Sequence, residues 1–521
     1  MEKPIFTDSG TPREILLVSK KQVDVHALRE LRELPQARRE AKTKEIRIGA
    51  EVLKQKGRFP TRRRCQDFPC AILFLATLFA WLGFSILCVK GVASAENDDA
   101  DFQDGATVDH QAGPIRHGWG LIQWAMTIHL PGFLGSMGAV ITAFGLLFAI
   151  RIYPRPVIYA LLLLIPILCA VGLIGIVIQM RRHEAQWYVA QFAAGCLLLF
   201  GFVYGLCTWC CWYKCIDFTA QIFEMVADSS YEYPRMILVS VLGALLVLIW
   251  CFLVSVAFTL ASLKHEKDYA DQNKNLTFSV GIAFSALLVL GSSVINLLCH
   301  TTYCGIFSRW YFSQDGLLLV DSLRDAATTS FGSICFGAFA AAPMKLLLYV
   351  LRSAHWSADQ ANSTSRAVAC VLQLLISCTG DLVEYFDEWA LVQCAIRGTC
   401  FCESAKATYA LILCNGLGAA VLGDLLLNSL STLGCLFCGM IGCGLGALMN
   451  SALHPAAATP VWISSLVGGV LAGGTVLRLY SSGSQAMILC WAEKSTPLHE
   501  SHGFEDIHTE LQAKIRESET S

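Results

Sequence analysis

The sequence predicts an all-α polytopic membrane protein, a bundle of about ten transmembrane helices with both termini in the cytosol. The first observation is a series of ten apolar runs between residues 69 and 481. A bilayer core about 30 Å thick is crossed by roughly 20 apolar residues in a helix, because backbone polar groups in lipid must be satisfied within the span. The second is a composition of 55% hydrophobic and 15% charged residues over 521 positions. The third is a basic stretch before the first run.

The ten runs divide the chain into three parts. Nine runs are continuous, and acids interrupt the remaining one, 366–397, which is therefore a weak span. We predict a basic cytosolic N-terminal tail (1–68), a transmembrane domain (69–481) and a cytosolic C-terminal tail (482–521). The predicted spans are 69–90, 120–150, 155–180, 187–213, 235–263, 276–300, 327–351, 366–397, 429–450 and 459–481.

Basic residues set the predicted orientation. The N-terminal tail holds 17 of the 39 Lys and Arg against ten acids, and it ends in Arg62–Arg64 beside the first span. Cytosolic flanks are enriched in Lys and Arg, and the loop 91–118 is acidic, so we place the tail inside and this loop outside. Alternating the spans from there places Arg151 inside, as the positive-inside rule expects, and Arg181 outside, contrary to that rule. Ten spans return the C-terminus to the cytosol.

Two short segments carry further predictions. Asn275, in the sequon Asn275-Leu276-Thr277 of a predicted outer loop, is a candidate glycosylation site, although its closeness to the next span limits access. Between the fourth and fifth spans, 214–234 mixes apolar and polar residues in a way that suits an amphipathic helix at the inner interface.

Motifs of soluble enzymes are absent from the sequence. It contains no GxxxxGK[ST] loop, no nucleophile elbow and no HExxH pair. Glycines at 442–446 and 468–469 lie inside predicted spans, where small residues let helices pack closely. The four cysteines between 207 and 215 have suggestive spacing, but buried apolar cysteines are the simpler interpretation. We expect a protein that is not an enzyme, with no cofactor, no metal and no nucleic-acid partner.

Ionisable residues inside the runs are candidates for function, since such residues are costly in a membrane. Lys345 follows Pro343 in the middle of a run; it either lines a path or snorkels to the interface. Asp381 and Glu384 share a helix face with Glu388, and could attract a cation or carry protons if the face is enclosed, or form a solvated face if it is not. His129, just before a proline, is either a protonation switch or a structural histidine.

Aromatic residues are the remaining signal. A quaternary ammonium cannot donate hydrogen bonds, so proteins bind it against aromatic faces. Trp250 lies deep in a run, and we name it with Trp124 and Tyr311 as candidate contacts for such a cation. Tryptophan and tyrosine are also enriched at span ends, which is the competing interpretation.

Several strings, in order along residues 64–494, resemble the choline transporter-like family. The most specific lie between 300 and 410. The matching strings are RCQD (64–67), WYF (310–312), GSICFGA (332–338), AIRG (395–398), FCESAK (401–406), Asn415, PV (460–461) and LCWAE (489–493). The largest departure is at 378–391, where an acidic segment stands in place of the family's basic, Asn-rich helix.

The resemblance implies a multi-pass solute carrier that moves choline or a related cation such as ethanolamine. It implies facilitative transport or proton exchange by alternating access, in the plasma membrane or an organelle membrane. On that basis the aromatic candidates are substrate contacts, and Lys345, Asp381 and Glu384 are electrostatic or proton-coupling residues. The alternative is a non-transporting membrane scaffold or lipid-handling protein of the same fold. An aromatic-lined, solvated cavity would favour transport. The oligomeric state is not readable.

Overall fold

The structure is a computed structural model, and its description covers ten stretches of the chain. They are 36–60, 63–103, 118–182, 201–205, 216–268, 274–313, 318–340, 388–414, 418–453 and 458–494. Within these stretches the protein is all-helical, without strands. The helices are α1 Gln36–Gln55, α2 Phe68–Gln103, α3 Gly118–Ile152, α4 Pro154–Arg182, α5 Ile216–Glu232, α6 Arg235–Asp268, α7 Lys274–Tyr311, α8 Leu318–Ala327, α9 Phe331–Ala340, α10 Phe401–Cys414, α11 Gly418–Leu453 and α12 Ala458–Glu493. A further helical segment covers 388–397.

Seven of these helices are long and apolar enough to cross a membrane. Each coincides with a predicted span, so the fold class is confirmed as an all-α multi-pass bundle. The predicted count of about ten is not reached within the described residues, because 187–213 and 366–397 lie largely outside them and 327–351 is described only as far as 340. The membrane-crossing stretches are Phe68–Leu87, Ala125–Ile152, Pro154–Val171, Arg235–Ser262, Gly281–Tyr311, Leu426–Ala452 and Val461–Glu493.

Small residues bring α3, α11 and α12 together. A Cβ on Gly135 of α3 would lie 2.9 Å from the Cα of Gly446 on α11, and one on Gly469 of α12 would lie 3.2 Å from the Cα of Gly439. Contacts this short leave room for no side chain, so the glycines bring the backbones into direct contact. The prediction that the span glycines serve helix packing is confirmed for the glycines of these contacts, but not for Gly444, where a Cβ would meet nothing within 4 Å.

Helices α7 and α12 continue as buried helix beyond their predicted ends. Helix α7 continues from 300 to Tyr311 and α12 from 481 to Glu493, and these extensions are buried. The apolar pattern ends early because polar residues interrupt it. Those residues have partners in the bundle: Ser482, for example, bonds His300. The C-terminal extension therefore belongs to the folded bundle.

Helix α5 is the predicted amphipathic segment. Its apolar side chains are buried against the bundle, with Phe218 and Val226 fully inaccessible to solvent, whereas Asp217, Glu224 and Asp228 lie on its exposed face. The amphipathic pattern therefore corresponds to a helix that closes one side of the core.

Candidate functional site

The N-terminal strap, residues 56–60 and 63–67, lies against the end of the bundle where α2 begins. We call this end the N-terminal face. The Phe59 N–H donates to the Ile396 carbonyl over 2.8 Å, and the Gln66 N–H donates to the Thr329 carbonyl over 3.0 Å. These backbone bonds fix an irregular segment against two separate elements. The strap is thus an integral part of this face.

Asp67 joins three of the motifs quoted above. Its Oδ2 accepts a hydrogen bond from the Ser333 hydroxyl at 2.6 Å and another from the Phe401 N–H at 2.8 Å. Phe401 begins α10, and the first N–H groups of a helix have no partner within it. Asp67 therefore satisfies the start of α10 from far along the chain. Gly332 allows this approach, because a Cβ there would lie 2.5 Å from the Asp67 carbonyl oxygen.

A second cluster on this face is centred on Glu493. Arg397 Nη2 donates to Glu493 Oε1 over 2.6 Å, and Arg58 donates to the same oxygen. Arg397 also donates to Gln393 over 3.0 Å and to the backbone carbonyl of Lys56. Its guanidinium therefore connects the strap, the segment 388–397 and the end of α12.

A third cluster surrounds Asp325. Its Oδ2 lies 2.6 Å from Arg309 Nη2 and 3.4 Å from Arg63 Nη1. Arg63 also donates to the Ala395 carbonyl over 2.9 Å. Burial lowers the pKa of the Arg63 guanidinium; the Asp325 carboxylate opposes this effect and the Arg309 charge adds to it. Two arginines and one carboxylate thus attach the strap to the junction of α7 and α8.

Tyr311, predicted to contact substrate, lies on this face. It is fully buried, and its hydroxyl donates to the Lys494 carbonyl over 2.8 Å. Its neighbour Trp310 donates to Glu232 at the end of α5 over 2.7 Å. Both side chains therefore link helix ends.

A polar cluster lies deeper, between α7, α12 and the segment 388–397. Arg478 Nη2 pairs with Glu388 Oε1 at 2.8 Å, and the side chains are 21% and 31% exposed. His300 Nε2 donates to the Glu388 carbonyl over 2.9 Å, so its Nδ1 accepts from the Ser482 hydroxyl at 2.8 Å. Gln485 approaches the other Glu388 oxygen at 3.4 Å. Burying an ion pair within an apolar bundle costs free energy, and this cost makes the pair a candidate for function.

Trp250 lies between α2, α6 and α7. Its ring centroid is 5.0 Å from that of Trp81, and its Nε1–H donates to the Leu288 carbonyl over 3.2 Å. The ring packs directly over Gly291, where a Cβ would collide with it. In this conformation Trp250 connects three helices.

Five of the predicted site residues fall outside the described side chains. Lys345, Asp381 and Glu384 lie outside the described residues, as do the cysteines between 207 and 215. Trp124 and Asn275 lie in α3 and α7, but the description does not include their side chains. Of the carboxylates predicted to share a helix face, Glu388 is described, and it contacts the bundle.

The residues that sequence reasoning missed are Arg478 and His300. Both are ionisable and lie inside predicted spans, so the criterion that selected Lys345 applied equally to them. Arg478 was overlooked because it lies near the end of its apolar run, where a basic residue is ordinary. The structure extends α12 by a further three turns, which places Arg478 well inside the bundle.

Three curated proteins show how similarity is distributed along the chain. A CTL-like protein of Dictyostelium discoideum is 26% identical over 242 residues, 45% of this chain and 42% of that protein. Protein PNS1 of Debaryomyces hansenii is 27% identical over 335 residues, 60% of this chain and 62% of its own. Protein PNS1 of Saccharomyces cerevisiae is 23% identical over 398 residues, which cover 71% of this chain and 68% of that protein. The match thus spans less than two thirds of the first two relatives.

The family profile described as plasma-membrane choline transporter matches residues 195–496. This region contains Glu388, Arg478 and His300, together with all the motif residues of the N-terminal face except those of the strap. The match covers more than half of the chain and agrees with the bundle of membrane-crossing helices. The protein is therefore an integral multi-pass membrane protein, and the chain belongs to the plasma-membrane choline transporter family.

Proposed function

We propose that this protein transports choline or a related organic cation, by facilitation or proton exchange, through alternating access. Family membership supports the general class of the proposed function, a membrane transporter. The observation that carries the cationic substrate is the Glu388 carboxylate, which lies among membrane-crossing helices. A carboxylate in such a place attracts a positive charge.

In the conformation described, that positive charge is Arg478. A bound ammonium would compete with Arg478 for the Glu388 oxygens, which lie 2.8 Å from Nη2 in the present pair. The pair is incompletely satisfied, because the Arg478 Nε–H is buried without a partner among the described residues. Exchanging one cation for another keeps the Glu388 carboxylate paired throughout, so no lone carboxylate is left in the bundle, while the released Arg478 guanidinium needs water or another acceptor. Cation binding and Arg478 release are therefore coupled steps in this proposal.

The N-terminal face is closed in this conformation. The strap connects α7, the segment 388–397 and α12 through the clusters at Asp67, Glu493 and Asp325. We propose that this face is cytosolic, in the plasma membrane, and that opening towards the cytosol separates some of these contacts. Alternating access requires such a change at each face in turn.

The aromatic candidates keep their proposed role as possible contacts in other conformations. Trp250 and Tyr311 are engaged in packing here, and a role in binding requires them to move. Trp124, Lys345, Asp381 and Glu384 stay predictions. We infer that Glu388 is the strongest candidate for binding the cation, because it combines negative charge with a position inside the bundle.

The experiment is uptake of labelled choline by cells that express the protein, with its presence in the plasma membrane measured in parallel. We expect saturable uptake by the wild type and a loss of at least tenfold for Glu388→Gln. Asp217→Asn is the matched control, because Asp217 lies on the exposed face of α5 and should leave uptake unchanged. Uptake equal to that of vector-only cells, with the protein present at the surface, would contradict transport.

One observation favours the alternative of a scaffold or lipid-handling protein. Two cavities within the described bundle have volumes of only about 10 and about 20 Å³. Small-molecule pockets are commonly roughly 300–1,000 Å³. A protein of this family that remained tightly packed in every state would transport nothing, and the choline experiment separates this possibility from a closed transporter.

A further inference from the structure

A small cavity lies between α3, α6 and α12, away from the Glu388 cluster. Its volume is about 20 Å³, enough for one water molecule. Hydroxyl groups come from each of the three helices, and Phe133 and Phe252 form an edge-to-face pair with ring centroids 5.4 Å apart. The lining residues are His129, Gly132, Phe133, Ser136, Leu248, Cys251, Phe252, Ser255 and Ser464.

We assign the tautomer of His129 from the hydrogen bonds around it. The Thr259 hydroxyl donates to the Ser255 carbonyl over 3.2 Å, so its proton is already engaged. Thr259 Oγ1 therefore accepts from His129 Nε2–H, at 2.8 Å. A neutral imidazole has one N–H and one lone pair. The lone pair must then be on Nδ1.

Nδ1 is the unusual atom of this site. It is buried and has no hydrogen-bond partner among the described residues, although His129 as a whole is only 6% exposed. Buried acceptors without partners are rare, and a bound water is the common remedy. The cavity that His129 lines has room for that water. An acceptor with a free lone pair, on a residue that lines a water-sized cavity inside a membrane protein, can take up a proton.

We propose that His129 is a proton-binding site, which accepts a proton at Nδ1 from a hydronium ion in this cavity. A hydronium ion breaks one O–H bond, whose electron pair stays on oxygen, and the Nδ1 lone pair forms the new N–H bond. The imidazolium keeps its Nε2–H bond to Thr259. The role in transport rests on the proposed function: in a cation–proton exchange, His129 holds the proton that leaves as the substrate enters.

The surroundings contain few competing charges. From α6 the cavity is lined by one other titratable side chain, Cys251, and from α12 by the Ser464 hydroxyl. Helix α11 places Gly446 beside this part of α3. A Cβ on Gly446 would lie 3.4 Å from the Pro131 carbonyl oxygen. Helices α2, α4 and α5 contribute no residue to the described lining. The described lining therefore has no carboxylate to hold the proton in place of His129, and water is its source.

The first test follows the histidine itself in the full-length protein, purified in detergent. In ¹⁵N-histidine spectra, the signals lost in His129→Gln identify the residue. We expect the Nε2–H tautomer at high pH and protonation of Nδ1 as the pH is lowered. An Nδ1–H tautomer at high pH, or a signal that stays unchanged while the protein remains folded, would overturn the proposal. Thr259→Val is the second variant: removing the acceptor should shift the tautomer equilibrium towards Nδ1–H.

The second test measures choline uptake into proteoliposomes with and without a pH gradient. We expect the gradient to stimulate the wild type several-fold, and the uptake rate of His129→Gln to be the same with and without the gradient. A His129→Gln variant that responds to the gradient like the wild type would overturn the coupling role. If the wild type takes up no choline, the proposed function fails, while the spectra still decide whether His129 binds a proton.

Discussion

Arg397 and Glu493 form an ion pair of 2.6 Å in which the two side chains are 3% and 8% exposed. One residue belongs to the AIRG string and the other to the LCWAE string, so two motifs recognised separately in the sequence form one contact. Arg58 of the strap joins the same carboxylate. The pair therefore holds the end of α12 against both the strap and the segment 388–397.

Arg397→Ala should destabilise the protein by about 3 kcal/mol. Removing one partner of a buried ion pair costs roughly 3–5 kcal/mol, and the value should fall at the low end because Arg58 remains beside Glu493. Thermal unfolding in detergent measures the effect. Arg155→Ala is the control: its pair with Asp217 is 63% and 70% exposed, and exposed pairs contribute little. Equal shifts in the two variants would contradict the assignment.

Asp67→Ala should cost more than Ser333→Ala. The serine variant removes one hydrogen bond, worth about 1 kcal/mol. The aspartate variant also leaves the first N–H of α10 without its acceptor, which adds roughly 0.5–2 kcal/mol. In a double-mutant cycle read by thermal unfolding, the two changes should be non-additive, because both remove the same bond. Strict additivity would indicate that the contact contributes nothing.

Two neighbouring glycines of α11 should respond differently to substitution. A Cβ on Gly442 would lie 2.8 Å from the Gly135 carbonyl oxygen, whereas one on Gly444 would meet nothing within 4 Å. Gly442→Ala should therefore destabilise the bundle by about 1–3 kcal/mol through overpacking. Gly444→Ala should be neutral or slightly stabilising, since alanine favours helix. Unfolding temperatures of the two purified variants decide this, and a reversed order would reject the α3–α11 contact.

Neutralising one member of the Arg478–Glu388 pair should be worse for stability than neutralising both. Arg478→Gln leaves a lone carboxylate among apolar helices, at a cost of roughly 1–3 kcal/mol, less than for a fully buried pair because both side chains are partly exposed. Adding Glu388→Gln should recover most of that loss while uptake stays abolished. The monodisperse yield and unfolding temperature of the three variants test it. A double variant less stable than Arg478→Gln would count against the pairing.

Much of the bundle could be predicted from the sequence, because a membrane helix is defined by a local property, a run of roughly 20 apolar residues. Seven apolar runs correspond to helices long enough to cross a bilayer. Helix ends were harder to predict where polar residues have partners inside. Gln485 and Ser482 interrupt the apolar pattern of α12, yet both contact the Glu388 cluster, and the helix continues.

The contacts of the strap could not be predicted from local patterns. Asp67 and Phe401 are 334 positions apart, and no periodicity connects them. The family strings did indicate which residues matter, since Asp67, Ser333, Phe401, Arg397 and Glu493 all belong to them. What the strings could not indicate was that these residues touch. Trp250 illustrates the converse: its depth in a run was predicted, but its packing against Trp81 depends on another helix.

The position of the strap also has a consequence for the order of assembly. The strap is synthesised before the seven membrane-crossing helices, but Glu493 follows Arg58 by 435 positions. The contacts of the strap with Thr329 and Ile396 can form earlier, whereas the bond from Arg58 to Glu493 waits until α12 exists, and loops this long close late. Docking of the strap is therefore complete only when the last helix is in place. A nascent chain whose strap stays undocked would display free arginines, a signal by which quality control could recognise unfinished molecules.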